Sequence, residues 1–267
     1  MFKSKRAWLV SLSLLLVVVL SGCSNANANA GPIDANSPGF WNHYIVYPIS
    51  VMLQFVAHHL PNHSFGIAII IITIIVRSIL LPLTITQYRS QLKTKKMQPE
   101  LQKLKKKYGD MTNNPEKQKQ YQQEMMILMK TSGVNPLMGC LPLLLQMPVF
   151  SALYYAISHT EEIRSASFLW VNLGHPDPYH ILPVLAAMST FLQMKVYQST
   201  MTEEQGQVMK VQQIIMPAMI LFMGSAAPAG LVLYWITSNL FTVVQTIVLR
   251  KIMDREDGQV QVQGQKA

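Results

Sequence analysis

Charged residues are scarce in this chain. They make up 13% of its 267 residues, whereas hydrophobic residues make up 50%. A soluble globular domain carries about 25% charged residues, so this composition cannot cover an ordinary water-facing surface. The hydrophobic residues also occur in blocks, and a run of about 18 or more can cross a hydrocarbon core roughly 30 Å thick. The composition therefore predicts an all-α polytopic membrane protein.

Cysteine is nearly absent, and the motifs of enzymatic chemistry are missing. The two cysteines are Cys23, near the N-terminus, and Cys140, inside an apolar block. Neither belongs to a set with metal-ligand spacing, and the three histidines His58, His59 and His63 have no carboxylate close in sequence. Phosphate-binding loops and nucleophile–base motifs are also absent. We therefore expect no disulfide, no metal site, no cofactor and no catalytic residues.

Residues 1–22 resemble a bacterial lipoprotein signal peptide. A basic start is followed by the apolar stretch Ala7–Leu20, and the small residues Ser21 and Gly22 directly precede Cys23. We expect the thiol of Cys23 to be acylated, which adds about 0.8 kcal/mol of membrane affinity for each buried methylene. The alternative is an uncleaved signal anchor with an incidental cysteine. Residues 23–39, rich in Asn, Ala, Gly and Pro, are predicted to be a flexible tether.

The rest of the chain is predicted to be one interfacial helix and five membrane spans. Residues 40–60 have helical spacing and aromatic residues crowded at one end, which predicts an amphipathic helix lying on the outer leaflet. The five spans are predicted at residues 65–83, 136–157, 179–197, 211–225 and 231–249. The last two must form an antiparallel helical hairpin because the linker between them is too short for any other arrangement.

The distribution of Lys and Arg sets the orientation. Eleven bases and four acids lie between Thr84 and Thr131, whereas the segment from Cys23 to Ser64 has no base at all. Because cytoplasmic loops carry the excess of bases, the mature N-terminus is predicted outside the cell. The loops 84–134 and 198–210 and the tail 250–267 are then cytoplasmic, and the loop 158–178 is extracellular. The protein is therefore expected in the plasma membrane.

The cytoplasmic loop 84–134 is predicted to form an antiparallel helical hairpin. Met97, Leu101, Leu104 and Tyr108 fall on one helical stripe, and the same spacing resumes after the breaking residues 113–115. Orientation bias alone accounts for the basic charge of this loop. Contact with ribosomal RNA or with anionic lipid accounts for it equally well.

Arg77 lies inside the predicted first span, where an Arg costs about 2.5–3.5 kcal/mol on insertion scales. One interpretation is that its side chain snorkels toward the cytoplasmic end at Leu83. No predicted span contains an Asp or Glu, so the chain supplies no carboxylate within the membrane to neutralise Arg77. The other interpretation is that Arg77 is hydrated or bound by neutral polar groups, and it predicts a positively charged, water-containing cavity suited to an anionic guest. The neutral polar candidates are Thr73, Gln146, Gln193, Ser238, Asn239 and Gln245.

Several stretches of this sequence resemble the YidC/Oxa/Alb membrane protein insertases, and its lipoprotein signal and short 158–178 loop resemble the Gram-positive, SpoIIIJ-like YidC branch. The stretches are Gly39-Phe40-Trp41-Asn42, Ile74-Ile75-Val76-Arg77 with Leu81-Pro82-Leu83, Gln98-Pro99-Glu100, Asn135-Pro136-Leu137, Gly139-Cys140-Leu141-Pro142 and Gln146-Met147-Pro148-Val149-Phe150. The likeness covers about Gly39 to Arg255.

The resemblance implies five spans around a hydrophilic groove that is open to the cytoplasm and to lipid but closed outside. It implies that Arg77 is the groove arginine and that Gln146, Gln193 and Trp235 also line the groove. It further implies a mobile cytoplasmic hairpin, nascent membrane proteins as clients, and partnership with the ribosome, the Sec translocon and membrane lipids. The tail after Arg255 is short and not strongly basic, so contact with the ribosome would fall to the hairpin.

The sequence therefore favours an insertase that moves short hydrophobic or acidic client segments into the bilayer, and we expect a monomer to be active. Two other functions remain open at this point. A transporter or channel would need coupling carboxylates or a continuous path, and the predicted spans contain no acid. A structural lipoprotein would tolerate loss of the Arg77 charge.

Overall fold

The structure, a computed structural model, describes residues 33–34, 37, 39–109, 114–133, 141–198 and 203–264. The side chains of residues 141–145, 203–209 and 254–264 are not among those described. The predicted signal peptide, Cys23, and residues 134–140 around the start of the predicted second span also lie outside the described part of the chain.

The described chain is predominantly helical, as its composition predicts. A π-helical turn at Asn42–Val46 leads into helix α1 (Tyr47–His58), and a 3₁₀ turn follows at Pro61–His63. The later helices are α2 (Phe65–Ile79), α3 (Leu81–Lys96), α4 (Gln98–Tyr108), α5 (Pro115–Thr131), α6 (Leu141–His159), α7 (Glu161–Ser165), α8 (Ile181–Gln198), α9 (Glu203–Ala226) and α10 (Ala229–Gly264). Two short antiparallel strands, β1 (Ser167–Phe168) and β2 (Val171–Asn172), form a hairpin that the sequence does not predict.

The chain bends where the first span is predicted to approach the cytoplasm. Helix α2 ends at Ile79, before the predicted boundary at Leu83, and α3 starts at Leu81 with a bend of 57° between the two helices. Pro82 in the first turn of α3 explains the break, because it has no N–H to continue the hydrogen-bond ladder of α2.

Helix length and composition identify one described helix that could cross a membrane by itself, the stretch Ala229–Met253 of α10, with a mean hydropathy of 1.5. The bent pair of α2 and α3 meets the same test when the two helices are taken together. Length and composition alone do not establish a span, so all five predicted spans stay predictions.

The chain divides into two compact units. The first contains the described residues up to Ile72, together with Leu143–Tyr179 and Ala226–Leu233. Its fully buried side chains come from α1, α2, α6, α7, the strand hairpin and the start of α10; the largest are Leu53, Ile69, Ile157, Ile163, Leu173 and Leu231. A hydroxyl pair also joins α1 to the segment after α6, with Ser50 Oγ 2.7 Å from Thr160 Oγ1.

The second unit contains the described residues within the ranges Thr73–Pro142, His180–Ser225 and Tyr234–Ala267. In it, Tyr88 on α3 packs against Leu249 and Met253 on α10, and Ile85 and Leu92 complete the cluster. Helix α3 therefore lies beside the C-terminal half of α10.

Candidate functional site

Arg77 lies in the last turn of α2 and is held by hydroxyl groups from α10. Its Nη2 donates a hydrogen bond to the hydroxyl of Ser238. The hydroxyl of Tyr234, one helical turn before Ser238, also accepts from the guanidinium. Ser238 and Tyr234 are 1% and 5% exposed, whereas Arg77 is half-buried. Two neutral side chains on a single helix face thus fix the arginine without cancelling its charge.

Ser238 belongs to the polar set that the sequence singles out, but Tyr234 does not. A tyrosine in an apolar helix is usually a packing or interfacial residue. The signal that finds it is its spacing, because residues four apart lie on the same face of a helix. Once Ser238 faces Arg77, Tyr234 must face the same side.

The other predicted site residues of the second unit occupy α2, α8 and α10. Thr73 lies one turn before Arg77 on the same face of α2 and is 4% exposed. Gln193 on α8 and Trp235 on α10 are both half-buried. The structure therefore leaves part of Gln193 and Trp235 accessible, whereas Thr73 is enclosed.

Asn239 has a different environment from the one the sequence suggests. Its amide nitrogen donates to Ser189 Oγ at 3.1 Å and to Thr190 Oγ1 at 2.8 Å, and its side chain is 8% exposed. Both hydroxyls in turn donate to the carbonyl of Ala186. These contacts use both amide hydrogens of Asn239, so they favour a residue that joins α10 to α8 over one that lines a groove.

Gln146 belongs to the first unit. It lies on α6 and is half-buried. Cys23, the predicted lipidation site, lies outside the described residues. In the part of the chain that the structure describes, no three His, Cys, Asp or Glu side chains form a group that could hold a metal ion.

The predicted extracellular loop is tied to the start of α10 by backbone hydrogen bonds. The N–H of Ala229 donates to the carbonyl of His175 at 2.8 Å, and the N–H of Gly230 donates to the carbonyl of Leu173 at 2.9 Å. These bonds satisfy two N–H groups that a helix N-terminus otherwise leaves unpaired. The buried carboxylate of Asp177 accepts from Trp170 Nε1 at 3.1 Å and braces the same loop.

The predicted hairpin contains α4 and α5, joined by an ion pair and a ring contact. Lys107 Nζ lies 2.8 Å from Glu124 Oε1, and the rings of Tyr108 and Tyr121 meet edge to face at 5.9 Å. Hydrogen bonds from Lys107 and then Tyr108 lower the pKa of Glu124, and the bond to Glu124 raises the pKa of Lys107. The helices are thus linked by contacts at the end where the hairpin turns.

Comparison with known proteins places these features in a family. A family model described as a 60 kDa inner membrane protein matches residues 55–256. The chain is 71% identical to the membrane protein insertase YidC 1 of Bacillus cereus, over 98% of this chain and 99% of that protein. It is 45% identical to the membrane protein insertase YidC 1 of Listeria monocytogenes, over 93% of this chain and 84% of that protein. It is 41% identical to the membrane protein insertase MisCA of Bacillus subtilis, over 94% and 93% of the two chains.

A solved structure also supports membership of this family. It is the crystal structure of an active YidC insertase with its first transmembrane domain resolved, and it matches this chain with a TM-score of 0.59 at 30% identity. The match covers 80% of this chain and 48% of the other, so this chain spans about half the length of that insertase. Because the family match covers most of the sequence and the relatives align almost end to end, the chain is a membrane protein that belongs to the YidC/Oxa/Alb family of membrane protein insertases.

Proposed function

We propose that this protein is an insertase that moves short hydrophobic or acidic client segments from the cytoplasm into the bilayer through a positively charged hydrophilic groove. The observation that carries the proposal is the arginine in the last turn of α2. Arg77 is half-buried, and the hydroxyls of Ser238 and Tyr234 hold it. Hydroxyl partners keep the side chain in place and leave its positive charge available to an acidic client residue.

The position of Arg77 supports a functional role. A charged residue within a predicted span is costly, at about 2.5–3.5 kcal/mol on insertion scales, and such residues usually face a water-filled interior. Moving an acidic residue of a client across the membrane has a similar free-energy cost. Attraction to Arg77 lowers that cost, because two opposite charges about 4 Å apart interact by roughly 4 kcal/mol at an effective dielectric constant near 20.

We propose Arg77, Thr73, Gln193 and Trp235 as groove residues of the second unit, and Gln146 as a client-binding residue of the first. Gln193 and Trp235 are partly accessible, and their amide and indole groups suit contact with a client that is partly polar. Asn239 supports the groove by joining α10, which carries Ser238 and Tyr234, to α8.

The finer features of the proposal concern topology and partners. Five spans place the mature N-terminus outside, anchored by lipid at Cys23, and place the tail and the hairpin in the cytoplasm. Nascent membrane proteins are the clients, the ribosome and the Sec translocon are partners, membrane lipids surround the groove, and a monomer suffices. No cofactor and no enzymatic step is involved.

Substitution of Arg77 tests the proposal. In cells depleted of the endogenous insertase, we expect Arg77→Ala and Arg77→Glu to abolish membrane insertion of a small client with acidic residues in its translocated segment. Arg77→Lys retains the charge and should retain much of the insertion. Protease protection of the translocated segment measures the inserted fraction.

Arg89→Ala is the matched control, because Arg89 is an exposed arginine on α3, outside the predicted spans. Immunoblotting must show equal amounts of all variants in the membrane. Normal insertion by all three Arg77 variants would mean that this arginine only snorkels, and the groove-charge mechanism would be wrong.

A further inference from the structure

Three glutamine side chains on the cytoplasmic side of Arg77 have buried polar atoms without a hydrogen-bond partner among the described residues. These atoms are Nε2 of Gln87, Oε1 of Gln91 and Nε2 of Gln245. The side chains of Gln87 and Gln245 are 6% and 8% exposed. Buried amide groups are nearly always paired in proteins, so unpaired ones require an explanation.

The three amides are carried by α3 and α10, two helices that pack against each other. Tyr88, the neighbour of Gln87, packs against Leu249, which lies one turn after Gln245 on the same face of α10. Gln91 lies one turn after Gln87 on the same face of α3, and its Nε2 donates to the hydroxyl of Tyr197 on α8. The three amides are therefore carried by helices that meet: α3 packs against α10 through Tyr88 and is bonded to α8 through Gln91.

This region is separate from the Arg77 site but follows it along the chain, on α3 after α2 and further along α10. Gln245 lies seven residues after Ser238 on α10, a distance of about 10 Å along a helix axis. The step from Ser238 to Gln245 leads toward the predicted cytoplasmic end of α10. A segment that moves from the cytoplasm to Arg77 would therefore pass the amides first.

A role in joining helices does not explain why these three polar atoms lack a hydrogen-bond partner among the described residues. Asn239, which joins α10 to α8, donates from its amide nitrogen to both Ser189 and Thr190, whereas the amide nitrogens of Gln87 and Gln245 have no such partner. The unpaired set instead combines N–H donors on Gln87 and Gln245 with a carbonyl acceptor on Gln91. The donor on Gln87 and the acceptor on Gln91 lie one turn apart on α3, and together they complement a peptide group, which carries one C=O and one N–H.

We infer that Gln87, Gln91 and Gln245 form a binding site for the unpaired main chain of an incoming client segment, at the cytoplasmic entrance to the Arg77 groove. This inference rests on the proposed insertase function. A segment that is not yet helical exposes peptide groups that must be hydrogen-bonded in apolar surroundings. The glutamine amides supply those bonds, and they do so whatever the client's side chains, whereas Arg77 selects acidic residues.

The test compares two clients that differ only in the translocated segment, which carries Asp and Glu in one and Asn and Gln in the other. Full-length protein is reconstituted in liposomes, and insertion is measured by protease protection. We expect the double variant Gln87→Met with Gln245→Met to insert both clients at least about fivefold more slowly than the wild type. Arg77→Ala should slow only the acidic client.

The stability of the variants separates binding from folding. Methionine has nearly the shape of glutamine but needs no hydrogen bond, so the double variant should unfold at the same temperature as the wild type or higher. Gln212→Met is the matched control, because Gln212 is exposed on α9. If the double variant inserts both clients at the wild-type rate, the amides hold only water and the inference is overturned. If the wild type inserts neither client, the proposed insertase function itself fails.

A second measurement keeps the test decisive if the double variant does not fold. A photo-crosslinking amino acid in place of Gln87 should form an adduct with a client stalled during insertion, and the same probe in place of Gln212 should not. Absence of the adduct at position 87 would overturn the inference.

Discussion

At the residue scale, the central feature is a charge held by neutral partners. The sequence identifies Arg77 because a cation in a predicted span demands compensation and no predicted span offers a carboxylate. It also supplies Ser238 among several polar candidates. The sequence does not predict which candidate bonds to Arg77, because that depends on how α2 and α10 are rotated about their axes. The structure selects Ser238 and adds Tyr234.

Asn239 shows the limit of predicting a role from polarity alone. The sequence groups it with the groove residues, and its side-chain contacts instead join α10 to α8. Adjacent residues on a helix point about 100° apart, so Ser238 and Asn239 reach different neighbours. Sequence alone predicts that both are polar within a span but not which neighbour each one meets.

Replacement of Asn239 by Leu should lower stability without a direct effect on client contact. Interhelical hydrogen bonds in membrane proteins contribute about 0.6 kcal/mol each on average, so loss of both bonds should cost about 1 kcal/mol. The midpoint of thermal unfolding in detergent measures this loss, and Val244→Leu, at a side chain that is 61% exposed, is the control. An unchanged midpoint together with lost insertion would instead mean that Asn239 contacts the client directly.

At the scale of elements, hydrophobic spacing predicts where helices lie, but it does not predict where they bend or where short strands pair. The stripe of Met97, Leu101, Leu104 and Tyr108 predicts the helix that the structure has at Gln98–Tyr108. Periodicity does not predict the 57° bend between α2 and α3, since apolar residues continue through it, although Pro82 marks the place. The sequence also does not predict the strand hairpin at Ser167–Asn172, because strands of two residues carry no periodic pattern.

The ion pair between α4 and α5 predicts a pH-dependent hairpin. The pKa of Glu124 is lower in the folded hairpin than its ordinary value of 4.5, so the pair contributes stability above pH 4.5 that is lost as the pH falls through the lowered value. The pKa of Lys107 is raised above 10.5, so the same pair is complete below pH 10.5 and is lost as the pH rises through the raised value.

Amide hydrogen exchange, corrected for the intrinsic rate at each pH, measures this dependence. Protection of peptides from α4 and α5 should fall at the acid end in the wild type and should show no such step in Glu124→Gln. Glu116→Gln, in the first turn of α5, should keep the step. A step of equal size in Glu124→Gln would show that the Lys107–Glu124 pair does not hold the hairpin.

At the scale of the whole molecule, the family is the most secure conclusion. Relatives named as insertases align with almost the full length of the chain, and composition alone already predicts a membrane protein. The five-span topology rests on the positions of Lys and Arg. The groove rests on the contacts of one arginine, and it is therefore the part of the account that most needs a direct test.

A charge exchange between protein and client gives that test. Purified wild type and Arg77→Glu are reconstituted in liposomes and given two clients, one with acidic residues in its translocated segment and one with Lys at the same positions. We expect Arg77→Glu to insert the acidic client at least about fivefold more slowly than the wild type, and to insert the Lys client faster than the wild type does, because the sign of the attraction is reversed. Equal insertion of both clients by both proteins would contradict the account, because the charge at position 77 would then have no influence on what crosses the membrane.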